Sequence, residues 1–314
     1  MQTRGNDKLK RLNRNSLAYD AKVNWQLYLM LLLPILYIII FAYVPMGGAV
    51  VAFKDYRIKK GILQSPWVGL QHFRNFFNTP DFGLLLSNTI ILSLYSLVVS
   101  FPFPILLALT INECSSRAYR KTVQMITYAP YFISTVVLVG MMSNFFSLRT
   151  GFVNSVAKLL NAEQINYMGV SSMFRSMYVW SGVWQSAGYG AVIYIAALGS
   201  VDYSLVEAAQ IDGANRIQRV IHIDIPTILP TIVIQLILAI GGIMGIGFEK
   251  VYLMQNPVNL DVSEIIATFV YKRGLAKFQY SYASAVGLFN SVVNLILIVL
   301  ANTFASKIGS TSLF

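Results

Sequence analysis

Residues 207–230 read EAAQIDGANRIQRVIHIDIPTILP. Three carboxylates, two arginines and a histidine crowd into this stretch, in a chain of 314 residues of which only 12% are charged. Glu207 to Ile211 is good helix-forming sequence, and Asp212-Gly213 is a turn-forming pair. Beyond the turn, Ile217, Val220, Ile221 and Ile225 recur at helical spacing, with Asn215, Arg216, Gln218, Arg219 and His222 around the rest of the wheel. This spacing predicts a second short amphipathic helix. Pro226 and Pro230 follow, and proline fits the first turn of a new helix, where its missing N–H costs nothing. On periodicity alone the segment is equally an interfacial linker with its apolar side resting on lipid.

The flanks are apolar. Windows free of Asp, Glu, Lys and Arg run 23–53, 82–112, 122–148, 176–201, 225–248 and 278–306. About 20 apolar residues at 1.5 Å rise cross a ~30 Å hydrocarbon core, so each window holds one spanning helix. A soluble domain is typically about 25% charged; here 56% of residues are hydrophobic and the mean hydropathy is +0.60. The expected fold is an all-α integral membrane protein with six transmembrane helices. Its parts are a basic N-terminal tail (1–22), a six-span domain (23–306) carrying the polar loop 202–230, and a short C-terminal tail (307–314).

The net charge of +11 comes from basic residues that flank the spans. That distribution matches anionic lipid headgroups and speaks against nucleic acid as a partner. Arg4, Lys8, Lys10, Arg11, Arg14 and Lys22 make a signal-like start, but the apolar run after them is too long and lacks a small-residue cleavage site. An uncleaved first span is expected. Counting Lys and Arg over the two sets of loops gives 12 on each side of the 24, so total charge does not orient the chain. Only the basic tail before the first span favours a cytoplasmic N-terminus. Cys114 is the sole cysteine, which excludes an intrachain disulfide.

Several chemistries are missing. Proton- and ion-coupled carriers keep ionisable groups inside the membrane, and none of the six windows contains one. The two histidines, His72 and His222, lie in different loops with no cysteine or carboxylate cluster at metal spacing, so no metal and no cofactor is expected. GGIMGIG (241–247) lacks the lysine and Ser/Thr of a phosphate loop and reads as close helix packing or local unwinding. The chain neither hydrolyses ATP nor moves protons by any visible route, so uphill transport needs energy from a partner. The alternative is a self-sufficient secondary carrier or channel for a small polar solute.

The spelling of the loop weighs against a bare linker. Glu207-Ala208-Ala209, Gly213, Ile223 and Pro226 form the pattern E-A-A-x-x-x-G followed by I-x-x-P, with Asp212, Ala214 and Pro230 also fitting. The chain thereby resembles the permease subunits of binding-protein-dependent ABC importers, in their polysaccharide- and oligosaccharide-uptake branch. FKDY (53–56), SPWVGLQHF (65–73), FPFPILLALTINE (101–113), FEKVYLMQNP (248–257) and QYSYASAVGLFNSVVNLI (279–296) extend the likeness over roughly residues 25 to 308. The resemblance implies a cytoplasmic coupling helix between spans four and five that docks on ABC ATPase subunits. It also implies a second permease, usually a different chain, an extracytoplasmic solute-binding lipoprotein and an oligosaccharide substrate. It places the chain in a bacterial cytoplasmic membrane with both termini inside, as a non-catalytic subunit. Small alanines let such a helix seat closely, and Glu207 offers a charge-assisted partner.

External segments 54–81, 149–175 and 249–277 are long for turns and carry Trp67, Phe73, Phe76, Phe77, Lys272 and Arg273, a surface for a binding protein or an ordinary aromatic belt. For the substrate path, sugars need aromatic faces and amide or hydroxyl rims. Trp180, Trp184, Gln185 and Tyr189 in the fourth window, Gln235 in the fifth and Asn290, Asn294 and Asn302 in the sixth have the right chemistry. The same amides serve equally as glue between helices, the more so for the asparagines.

Overall fold

A computed structural model describes residue 21 and residues 23–308. The tails 1–20 and 309–314, and with them most of the basic N-terminal segment, lie outside the described residues.

The chain divides at Gly69 into two units. In the first, α1 (Trp25–Phe53) is apolar throughout and long enough to cross a bilayer. Pro34 sits inside it, and the wide turn Ile39–Tyr43 follows within two turns. After α1 the chain closes a small loop through a single antiparallel bridge between Lys54 and Trp67. Lys54 is buried, its ammonium donating to the Ile62 and Leu63 carbonyls at 2.8 and 3.2 Å and lying 4.9 Å from the Trp67 ring.

The second unit is a helical bundle. Its helices are α2 (Gln71–Phe77), α3 (Phe82–Asn112), α4 (Arg117–Phe132), α5 (Thr135–Phe145), α6 (Phe152–Leu159), α7 (Ser171–Leu198), α8 (Tyr203–Ile211), α9 (Arg216–Gly241), α10 (Phe248–Met254), α11 (Ile266–Tyr271) and α12 (Tyr280–Ile308). With α1, the helices α3, α9 and α12 are long and apolar enough to cross a membrane singly, and the bent pairs α4–α5 and α7–α8 bring the number to six.

The third window is therefore not one straight helix. α4 and α5 meet at 98°. Pro130 cannot donate an N–H, the turn tightens over Ala129–Phe132, and Ser134 starts a new helix by accepting from the Val137 N–H at 3.3 Å. The carbonyl exposed at the break, that of Ile133, accepts from Gln185 Nε2 of α7 at 2.8 Å.

A second departure concerns the fifth helix. No separate short helix precedes Pro226: α9 runs unbroken from Arg216 through a wide turn over Val220–Asp224 into the span. A proline at 226 removes one i→i−4 donor, and the wide turn just before it absorbs the mismatch.

Three buried clusters run the length of the bundle. At one end, Phe76, Phe82, Phe269, Tyr282 and Phe289 pack edge-to-face. In the middle, Leu92, Met142, Tyr178, Val251 and Met254 come from α3, α5, α7 and α10. At the far end, Ala108, Leu109, Ala191, Leu198 and Ile228 join α3, α7 and α9. This order makes α3 and α7 parallel, with their C-terminal ends at the end occupied by α8. Gly188 lets α7 touch α4, since a Cβ there would lie 1.9 Å from the Thr127 carbonyl oxygen.

Candidate functional site

Two features stand out in the second unit: the polar segment 202–230 at one end and a cavity inside the bundle.

The segment is built by local rules. Asp202 caps α8, its Oδ1 accepting from the Ser204 N–H at 2.9 Å, and that bond holds its carboxyl below the usual range. α8 stops in a left-handed turn: Ala214 N–H reaches back to the Ala209 carbonyl at 2.8 Å and Gly213 N–H to that of Gln210 at 3.1 Å. Gly213 has φ +80, a conformation a side chain resists. Asn215 then opens α9 with a reciprocal pair, accepting from Gln218 N–H at 2.9 Å while Gln218 Oε1 accepts from Asn215 N–H at 2.8 Å. Helix stop and helix start are four residues apart, so the corner is rigid.

What this corner presents is unusual. Glu207, Ala208, Asp212 and Gly213 are exposed, and so are Pro226 and Pro230, whereas Ala209, Ala214 and Ile223 are half-buried. Around them Tyr203, Ile211 and Ile217 are 68%, 86% and 70% exposed. The corner thus exposes an apolar rim around a carboxylate and an Ala-Gly surface. Inside the corner, Arg219 Nη2 meets Glu113 Oε2 at 3.1 Å, tying α9 to the end of α3. Asp224, one turn on, is buried with its Oδ2 lacking a hydrogen-bond partner.

The cavity holds about 440 Å³, within the range of small-ligand sites. Ser93, Ser96 and Ser100 stripe one face of α3, opposed by Tyr178 and Tyr194 of α7 and Gln235 of α9. No charged side chain lines it. Among the described residues no group of His, Cys, Asp or Glu gathers as a metal site.

Of the residues proposed above for a substrate path, the structure puts only Gln235 on this cavity. Trp180 and Trp184 line a separate, nearly apolar groove of about 560 Å³ with Met141, Met142 and Met177. Tyr189 stacks on Tyr131 with ring centres 3.9 Å apart, next to the carbonyl that Gln185 caps, so both residues brace the bend between α4 and α5. Asn290 Nδ2 donates to the Met244 carbonyl at 3.1 Å and Asn294 Oδ1 accepts from the Met244 N–H at 3.0 Å, fastening the turn after α9. Asn290 also reaches a third cavity, and Asn302 is buried. The serine stripe escaped the sequence reading, although its spacing of three and four within a span was there to be seen. Of the external aromatic residues, Phe76 is 1% exposed and belongs to the core, so it cannot meet a binding protein.

At the opposite end, Asn88 donates to the Asp261 carbonyl at 2.9 Å and accepts from Arg175 at 2.8 Å, while Thr89 Oγ1 accepts from the Ile266 N–H at 3.0 Å. This polar clasp fixes the segment between α10 and α11 on α3.

Residues 88–310 match the family model described as binding-protein-dependent transport system inner membrane component. The chain belongs to this family. Among relatives of this inner membrane component, Protein LplB of Bacillus subtilis is 43% identical over 288 residues, covering 92% of this chain and 91% of its own. The polygalacturonan/rhamnogalacturonan transport system permease protein YteP of the same organism is also 43% identical, over 92% of this chain and 90% of its own. A solved chain of a bacterial ABC transporter involved in the import of the acidic polysaccharide alginate superposes with a TM-score of 0.86 at 39% identity, covering 93% of this chain and 99% of that one. The same kind of transporter, in complex with an alginate pentasaccharide-bound periplasmic protein, matches with a TM-score of 0.87 at 38% identity over 95% and 99%. The membrane-embedded transport role and the all-helical fold read from the sequence follow from this membership.

Proposed function

We propose that this chain is the permease subunit of a bacterial ABC importer for oligosaccharides or polysaccharide fragments, driven by separate ATPase subunits through segment 202–230. The observation that carries the proposal is the corner at Gly213. It is exposed and apolar-rimmed, locked by a left-handed stop and a reciprocal cap, and continuous through α9 with Gln235 on the cavity. A push on α8 reaches the cavity wall without passing through a flexible joint. The names of the relatives support a saccharide cargo, and the hydroxyl and amide lining of the cavity suits a sugar's hydroxyl groups. In this reading residues 202–230 face the cytoplasm, which places the N- and C-termini there. In the same topology the external segments 54–81, 149–175 and 249–277 face a solute-binding protein. A second permease, a different chain, completes the pathway, and this chain itself is non-catalytic.

The test is co-purification in detergent with the ATPase subunits. Gly213→Asp and Glu207→Lys are expected to lose the ATPase while retaining membrane insertion. Full ATPase recovery with both variants contradicts the docking role.

A further inference from the structure

Lys250 is a cation with no carboxylate partner among the described residues. It lies on α10, two residues after Phe248, and is 8% exposed. Its Nζ donates to the Tyr178 carbonyl at 2.8 Å, lies 4.8 Å from the Tyr178 ring centre, and would be 3.3 Å from a Cβ at Gly182. These neighbours are all neutral. The ion pairs Arg57–Asp55, Arg219–Glu113 and Lys272–Glu264 do not involve Lys250. Asp261 accepts from Ser171, and Glu249, the residue just before Lys250, is exposed.

Lysines ordinarily keep their ammonium in water, and a buried one without a counter-charge is costly. Burial lowers its pKa to about 8, which leaves the charged form dominant at neutral pH. Tyr178, which holds the ammonium by carbonyl and ring, is also a wall of the 440 Å³ cavity, and so is Gly247, whose N–H donates to the Tyr178 hydroxyl. The charge thus stands directly behind a cavity wall that carries no charge of its own. Fields from a buried charge reach further through low-dielectric walls than through water.

We propose that Lys250 makes this cavity selective for anionic saccharides, sugars bearing carboxylates, by supplying a positive field from behind its neutral lining. The inference rests on the saccharide-permease reading above and adds the cargo's charge. Lys250 acts as a specificity residue through Tyr178, without touching the sugar.

The experiment uses the complete importer in proteoliposomes and compares uptake of an oligogalacturonate with that of its fully methyl-esterified, neutral counterpart. The binding protein is the same throughout, so its own preference cancels when variants are compared. Lys250→Gln is expected to lower the anionic-to-neutral uptake ratio about tenfold, and Lys250→Arg to keep it. A ratio unchanged in Lys250→Gln, with both uptakes falling together, overturns the inference and leaves Lys250 a packing residue. Uptake of neither saccharide by the unaltered importer overturns the saccharide reading itself, and this inference with it.

Discussion

The Arg219 guanidinium lies 3.1 Å from the Glu113 carboxylate, and the two side chains are only 15% and 22% exposed. They join the residue just after α3 to the first turn of α9, 106 positions apart in the chain. The pair is one of few polar ties between the exposed corner and a helix that lines the cavity. In the proposed coupling, severing it loosens α9 from α3 while leaving α9 itself continuous with the cavity.

Glu113→Gln and Arg219→Gln are each expected to leave ATP hydrolysis by the assembled importer largely intact while lowering uptake per ATP. A double-mutant cycle on stability should give a coupling energy of about 1–3 kcal/mol, as for side chains in direct contact within one network. Additive single effects would show that the pair carries no coupling.

Gly213 must hold φ +80 for the stop after α8 to form. Gly213→Ala is expected to cost about 1 kcal/mol locally, read as faster amide hydrogen exchange across α8, and Gly213→Asn to cost less. Exchange unchanged by the alanine would mean that the corner tolerates another geometry.

The cavity should be more sensitive than the Trp groove. Ser96→Phe and Gln235→Leu are expected to reduce saccharide-stimulated ATPase activity about tenfold, a loss of about 1.4 kcal/mol in transition-state terms. Trp184→Ala, which alters the separate groove, should have a smaller effect. The reverse order would move the substrate path to the Trp180–Trp184 face.

Much of this was legible in the charge pattern. The six apolar windows correspond to α1, α3, the α4–α5 pair, α7, α9 and α12, because lipid tolerates few charges and water few long apolar runs. The corner at Asp212-Gly213 was legible too, since its caps are local. The bend at Ile133 was not, because it depends on a carbonyl satisfied from another helix by Gln185. Pro226 misled for a related reason: a proline marks a missing donor, and only the structure shows whether the helix ends or widens around it. The amides of Asn290 and Asn294 looked like substrate groups as much as glue until both met Met244. Lys250 gave no signal at all, because burial next to Tyr178 is a property of packing between distant segments.

Lys250 also predicts a pH dependence. Its folded pKa of about 8 lies below the ordinary 10.5, so the unfolded chain binds more protons between those values. The cost of burying the charge is fully present below pH 8 and is relieved as pH rises toward 10.5, so this residue's contribution makes the protein more stable with increasing pH in that window. Thermal unfolding in detergent should show that rise, and Lys250→Met should abolish it. Preference for anionic cargo should fade as pH rises through about 8, where the folded protein's Lys250 loses its charge.

In the proposed mechanism this chain moves solute only when a partner hydrolyses ATP. Proteoliposomes carrying the chain with its second permease, with and without the ATPase subunits, test it directly using a labelled oligosaccharide, ATP and the binding protein. ATP-dependent accumulation with the ATPase and none without it is the predicted result. Robust uptake without the ATPase subunits would instead make the chain a self-sufficient carrier.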